Sequence, residues 1–334
     1  MIPSLWKSLR ELAGGDAVAF VARANQESLL PLLAAERDLA PDVAAAIQRS
    51  AALVAAHRMR SAIIAKAFRR ALELLDGERS IVLKGCDFAH RLYPRPEMRP
   101  MADIDVLVGV NDIDRIVAGL EARGVARSAL PGVAILAKSH HEVVMTIDGV
   151  TFEVHNRFIQ KARHRIDYDA VFARAVPFGN ALRLADADAL AYETISIAIK
   201  YFTSPLIRYV DVWLLLADPA TLEASAARAI EWRARRAFYA TFRFGSRVFP
   251  EFREERFERV MRDIVSKRTA KFLDERVIPQ PQRGMKSVPS RSTQLWQKFW
   301  LLDDPMRRTA FLAEHAGAVA SGALRASIAP RLTE

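Results

Sequence analysis

Apolar residues recur at helical spacing through the first 78 residues, give way to short β-branched runs between about 79 and 185, and return to helical spacing from 186 onward. In the first stretch a helix around Leu5–Leu12 ends at Gly14-Gly15, and Asp16 is placed to cap its successor. A second break falls between Asn25 and Leu33, where a polar quartet precedes Leu29-Leu30-Pro31-Leu32-Leu33. From Pro41-Asp42 a long alanine-rich pattern sets Val43, Ile47, Val54, Ile64, Ala67, Leu72 and Leu75 near helical spacing, with Arg49, Arg58, Arg60, Arg69 and Arg70 between them. Asp76-Gly77 closes it and hands the chain to a strand at Ile81.

The middle stretch carries the strongest local signals. Residues 81–108 read as a strand ending at Lys84-Gly85, a helical or looped excursion, and a second strand that opens with Asp103-Ile104-Asp105 and buries Val106-Leu107-Val108. Asn111-Asp112 can cap a helix bearing Ile113, Ile116, Val117 and Leu120, which Gly124 stops. In residues 142–155, EVVMTI-DG-VTFEVH, an Asp-Gly pair between two alternating runs predicts a hairpin turning at Asp148-Gly149. Ile147 then faces Val150, Met145 faces Phe152, and Val144 faces Glu153. One face is apolar throughout, from Val143 to Val154; the other holds Glu142, Val144, Thr146, Thr151, Glu153 and His155.

Beyond Asp186 the pattern predicts a helix to about Phe202 and another from Ser204-Pro205 to Asp218-Pro219. A third helical segment, about 221–247, bears Arg228, Arg233, Arg235, Arg236, Arg243 and Arg247. The proline-bearing stretch 277–293 reads as a loop, and a helical tail brings Trp296, Phe299 and Trp300 back onto the domain as core. The expected organisation is a helical segment over 1–78, an α+β core with a mixed sheet over 79–185, and a helical domain over 186–334.

Composition alters this picture little. With 334 residues, 51% hydrophobic and 26% charged, the chain is an ordinary globular protein with a full core. The net charge of +10 suits an anionic partner or describes a solvated arginine-rich surface, and the segment 221–247 poses the same choice between a solvated face and a nucleic-acid track. A single cysteine, Cys86, excludes an internal disulfide and fits a reducing compartment. No apolar run approaches the ~20 residues of a membrane span, and the N-terminus lacks the features of a signal peptide. A cytoplasmic protein without a membrane partner is expected, and its oligomeric state is open.

Candidate chemistry converges on residues 81–155. Strand side chains alternate, so Asp103 and Asp105 share one face while Ile104 packs on the other. Two carboxylates held in this way can grip a divalent cation. Three motifs follow in order: Leu83-Lys84-Gly85, then Arg99-Pro100-Met101-x-Asp103-Ile104-Asp105-Val106-Leu107-Val108, then Phe152-Glu153-Val154-His155. Together they resemble the DNA polymerase β-like nucleotidyltransferase superfamily, and more narrowly an uncharacterised bacterial branch that reads LKG, RPxxDxDxLV and ExH.

That resemblance implies a mixed-sheet polymerase-β-like core flanked by helical segments. It also implies metal-dependent transfer of a nucleoside monophosphate from an NTP such as ATP to an acceptor hydroxyl, with release of pyrophosphate. It makes Asp103, Asp105 and Glu153 the catalytic carboxylates and the ligands of magnesium or manganese. Gly85 would let the backbone approach the triphosphate, and Cys86 stands where the superfamily usually has glycine or serine, leaving backbone contacts but no hydroxyl. Lys84 and Arg99 would add positive charge near the phosphates. His155 would contact substrate or order Glu153, and Arg208 and Asp211 match an arginine and an aspartate that the branch carries on a later helix. On their own chemistry, His155 reads as a structural histidine, Cys86 as a small buried filler, and His140-His141 as a pair lacking the cysteines of a zinc site. The acceptor (small molecule, peptide or RNA) is open. So are two other readings: a degenerate module that binds nucleotide or RNA, and a toxin-like transferase acting on tRNA or protein.

Overall fold

The computed structural model describes residues 1–128, 142–159, 163–283 and 288–320; His140 and His141 lie outside them. The N-terminal breaks fall where the capping groups put them. Helix α1 (Leu5–Leu12) stops before Gly14 and Gly15, both at positive φ. Asp16 caps α2 (Ala17–Gln26) by accepting the Ala19 amide at 2.8 Å. A short α3 (Leu30–Leu33) follows. The long pattern from Pro41 is two helices rather than one, α4 (Pro41–Arg49) and α5 (Ala51–Leu74), which meet at Ser50. Gly77, at φ 80°, turns the chain out of α5.

The sheet region runs β1 (Ser80–Val82), α6 (Lys84–Arg91), β2 (Asp103–Val108), α7 (Ile113–Ala122), β3 (Ala126–Arg127), β4 (Glu142–Ile147), β5 (Val150–His155), α8 (Tyr168–Arg174), β6 (Val176–Phe178) and β7 (Ala181–Arg183). Its seven strands lie in the order β3-β4-β5-β2-β1-β7-β6. The β2–β5 and β1–β7 pairs are parallel and the others antiparallel. The hairpin has the predicted register, with Ile147 opposite Val150, Met145 opposite Phe152 and Val144 opposite Glu153. Asp148 (φ 51°) and Gly149 (φ 77°) make the turn, two successive residues in the left-handed region that an Asp-Gly pair tolerates. Strands β6 and β7 carried no sequence signal. Each has three residues, too few to show a period, and Pro177 sits on the edge strand, where its missing N–H costs nothing.

Alternation along β2 sorts its side chains between two cores. Ile104, Val106 and Val108 join the buried second half of α5 (Ile64, Phe68, Leu74) and the apolar hairpin face (Met145, Phe152, Val154) on one side of the sheet. Leu107 joins Ile81 and Leu83 on the other side, in a core shared by α1–α4 and the C-terminal helices. Asp103 and Asp105 therefore open toward those helices: α9 (Asp186–Ile199), α10 (Ile207–Leu215), α11 (Ala220–Glu231), α12 (Arg235–Val248), α13 (Glu255–Ile264), α14 (Lys267–Arg276), α15 (Arg291–Leu301) and α16 (Pro305–Ala320). Among the described residues, no helix is long and apolar enough to cross a membrane.

Two C-terminal expectations are corrected. The arginine-rich segment is two helices, broken at Arg233 (φ 53°), and most of its arginines are engaged within the fold. Arg233 pairs with Asp304 at 2.9 Å, Arg235 with Asp303 at 3.2 Å, and Arg243 with Glu258 at 3.0 Å and Asp274 at 3.3 Å. Arg247 donates to the carbonyls of Asp274, Ile278 and Pro279. In the aromatic tail, Trp300 packs on Phe272 with ring centroids 4.7 Å apart, but Trp296 stays exposed.

Candidate active site

Strand register alone makes Asp105 and Glu153 neighbours. In the parallel β2–β5 ladder Asp103 is level with Thr151, Asp105 with Glu153, and Leu107 with His155, and adjacent strands lie about 4.8 Å apart. His155 reaches back along the face: its Nε2 is 2.9 Å from Asp105 Oδ1 and 3.4 Å from Glu153 Oε2, and its Nδ1 is 3.4 Å from Glu142 Oε2. On the other flank, the Leu83 amide donates to the Asp105 carbonyl at 3.0 Å. That bond extends the β1–β2 ladder by one residue and brings Lys84 Nζ to 3.4 Å from Asp105 Oδ2.

Asp105 is 2% exposed. Burial works to raise its carboxyl, but the Lys84 charge and the His155 hydrogen bond outweigh it and hold the group below the usual carboxylate range. The magnitudes show that Lys84 alone about offsets the cost of burial and that the His155 bond tips the balance. Removing a carboxylate from water costs several kcal/mol, and one unit charge at 3.4 Å returns roughly 5 kcal/mol at an effective dielectric near 20. Burial also opposes charge on His155, yet its hydrogen bonds to Asp105 and Glu153 lift the ring to about 9, so it is an imidazolium at neutral pH. Asp103 differs. Burial and the Asp105 charge push its carboxyl up to about 6, and its side chain makes no hydrogen bond or ion pair among the described residues. Ligand atoms of Asp105, Glu153 and His155 lie within 4.8 Å of one another, which makes this a possible metal site.

The remaining sequence candidates line a path from these carboxylates into the C-terminal helices. Arg99 is buried and forked on Asp211, with Nη2 2.7 Å from Oδ2 and Nε 3.1 Å from each oxygen; Tyr93 donates its hydroxyl to the same carboxylate at 2.8 Å. Arg208 is likewise forked, on Glu193, with Nη2 2.6 Å from Oε2, and its Nη1 is 3.2 Å from Ser204 Oγ. Lys84–Asp105, Arg99–Asp211 and Arg208–Glu193 form three buried ion pairs, and Lys84 Nζ lies 5.8 Å over the Tyr192 ring. Arg208 and Asp211, one turn apart on α10, are therefore held by partners inside the fold.

Glu193 was missed from the sequence, though a signal existed. It is the one ionisable carboxylate in an otherwise uncharged run, ALAYETISIAI, which the structure buries from Ala189 to Ala198. A charge in such a run requires a partner. Lys200 was missed too. It follows α9 with its side chain exposed, and the Lys84 charge lowers its pKa, which places it beside the same cluster.

Gly85 lies in the first turn of α6 with an ordinary φ, and a methyl there would meet Arg99 Nη1 at 3.5 Å and Met101 Cγ at 3.7 Å. Those are ordinary contacts, so internal packing does not demand glycine. Cys86 is fully buried among apolar neighbours, and burial, then the Asp105 charge, pushes its thiol far above the usual range; it is a filler and not a nucleophile. A cleft of about 350 Å³ lined by Arg79, Asn111, Arg157 and Phe172 contains none of these carboxylates.

A family model described as an uncharacterised nucleotidyltransferase matches residues 14–250, a span that holds every site residue named above. No curated protein matches the chain.

Proposed function

The chain belongs to this family of uncharacterised nucleotidyltransferases, transferases of phosphorus-containing groups, and on that premise we propose that it moves a nucleoside monophosphate from an NTP, such as ATP, to an acceptor hydroxyl. The acceptor oxygen bonds to the α-phosphorus, the bond to the β-phosphate breaks, and pyrophosphate leaves with the electron pair. The observation that carries this reading is the β2–β5 register, which sets Asp105 level with Glu153 and puts Asp103 two residues away on the same face.

The donor set fits a divalent cation. Asp105 and Glu153, with Asp103 two residues along the same face, offer the oxygen ligands that magnesium and manganese favour, and a cation would relieve the burial and the Asp105 charge that together raise Asp103. When bound, such an ion supplies charge neutralisation on the triphosphate and the attacking oxygen. His155, bonded to Asp105, orients that carboxylate and stands within reach of the same ion. Glu153, on the neighbouring strand, takes the acceptor proton. Lys84, with Lys200 beside it, draws the phosphates in. Arg99, forked on Asp211, keeps its Nη1 near Gly85, where the first-turn amides of α6 lack a side-chain cap and can meet a phosphate oxygen. Arg208 and Asp211 hold the helices that form the roof of the site.

The competing reading, binding without turnover, draws on the Lys84–Asp105 pair, which commits a ligand carboxylate to a lysine. Calorimetry of NTP binding with magnesium, run beside a pyrophosphate-release assay over candidate acceptors, separates the two. Release that disappears in Asp105→Asn supports transfer; tight binding with no release supports the degenerate module.

A further inference from the structure

We propose that the outer face of the first half of α5 docks an acidic amphipathic helix of a partner protein. The second half of α5 is accounted for by the core, since Ile64, Ala67, Phe68 and Ala71 are all buried. The first half is not. Met59 is 67% exposed, Ile63 48% and Leu53 47%, three large apolar side chains open to solvent within eleven residues of one helix. Met59 and Ile63 are stacked at i and i+4, and Leu53, about a quarter to a third of a turn around the helix from them, adds a separate exposed apolar group.

Charge identifies the occupant. Arg58, Arg60, Lys66, Arg69 and Arg70 are all exposed around the stripe. Glu73 is the only acid in α5, and it pairs with Arg70 at 3.2 Å. Arg58, Lys66 and Arg69 have no carboxylate partner among the described residues. An apolar stripe flanked by uncompensated cations complements a helix with one aliphatic and one acidic face. Nucleic acid fits less well, because the exposed stretch offers no aromatic ring for a base to stack on. A lipid surface also fits less well, because interfacial helices insert tryptophan, phenylalanine and several leucines, and this face has one leucine. Met59, flexible and polarisable, suits an adaptable protein contact.

Location gives the surface a use. Arg60 Nη2 donates to the Ala102 carbonyl at 3.1 Å, one residue before Asp103, so the docking face ends at the entry to the catalytic strand. The carboxylates face the other side of the sheet, so a partner seated there would act on the site through the Arg60–Ala102 bond to the start of β2 and not by direct contact; that clause rests on the proposed reaction, whereas the docking itself does not.

The test uses the full-length protein without nucleotide, so its failure leaves the reaction assignment standing. A fluorescent helical peptide with one leucine face and one glutamate face is titrated by anisotropy, beside a scrambled peptide, an RNA hairpin and phosphatidylglycerol vesicles. Saturable binding of the amphipathic peptide is expected, at least about tenfold weaker in Met59→Glu and in the double variant Arg58→Glu/Arg69→Glu. Ile63→Lys provides a second apolar probe, and melting temperatures of these exposed-site variants should match the parent. Absence of peptide binding, equal binding of the scrambled peptide, indifference to all three variants, or binding of only RNA or vesicles would overturn the proposal.

Discussion

At the scale of single residues, each buried charge is settled by its nearest neighbours. His164 shows this away from the site. It is buried, its Nδ1 is 3.2 Å from the Arg233 carbonyl, and burial pulls its pKa down to about 4. Between about 4 and 6.5 the unfolded chain therefore takes up a proton that the folded protein refuses. Stability rises with pH across that window and falls by up to roughly 3 kcal/mol as pH drops through it. His164→Asn, which keeps a donor for the carbonyl but cannot be protonated, should show a flatter profile in denaturant titrations at pH 4 to 6.5; an unchanged slope would count against this assignment. The site residues were legible in proportion to how local their cause is. Asp103, Asp105 and Glu153 follow from strand alternation and a turn. The engagement of Arg99 by Asp211, 112 residues away, follows only from how α10 packs on the sheet. The raised charge state of His155 needs both the hairpin and its parallel neighbour.

At the scale of elements, the β4–β5 hairpin was readable because an Asp-Gly turn and two alternating runs gave the same answer. Gly149 at φ 77° has open space where a side chain would go, so the cost of filling it is backbone strain alone. Gly149→Ala should destabilise the protein by about 1–2 kcal/mol, seen as a lower denaturation midpoint with an unchanged m-value. Because Glu153 and His155 ride on this hairpin, the variant should also lose the proposed transfer activity. The break at Ser50 was not readable, since alanine-rich sequence on both sides favours helix and only tertiary packing bends it. The same holds for Arg233, a non-glycine residue at positive φ whose neighbours carry no turn signal.

At the scale of the whole molecule, the C-terminal helices cover the sheet face that bears the carboxylates, and acidic groups late in the chain fasten them. Asp303, 4% exposed in its side chain, accepts the backbone amides of both Arg235 and Arg236 at 2.9 Å, so it caps α12 from some 67 residues away. Asp303→Ala should cost about 1–2 kcal/mol and lower the melting temperature with little change in NTP affinity. Most arginines of the segment 221–247 that suggested a nucleic-acid footprint are engaged inside the fold, whereas Arg58, Lys66 and Arg69 of α5 have no carboxylate partner among the described residues. The central claim is that Asp103, Asp105 and Glu153 form a nucleotidyl-transfer site. Its most direct measurement compares α-labelled with γ-labelled NTP, in magnesium or manganese, with a cell extract supplying acceptors. The expected result is α-label transferred to an acceptor, γ-label released as pyrophosphate, and both lost in Asp105→Asn and Glu153→Gln variants that remain folded. Transfer of the γ-label, or α-label transfer that persists in those variants, would contradict it.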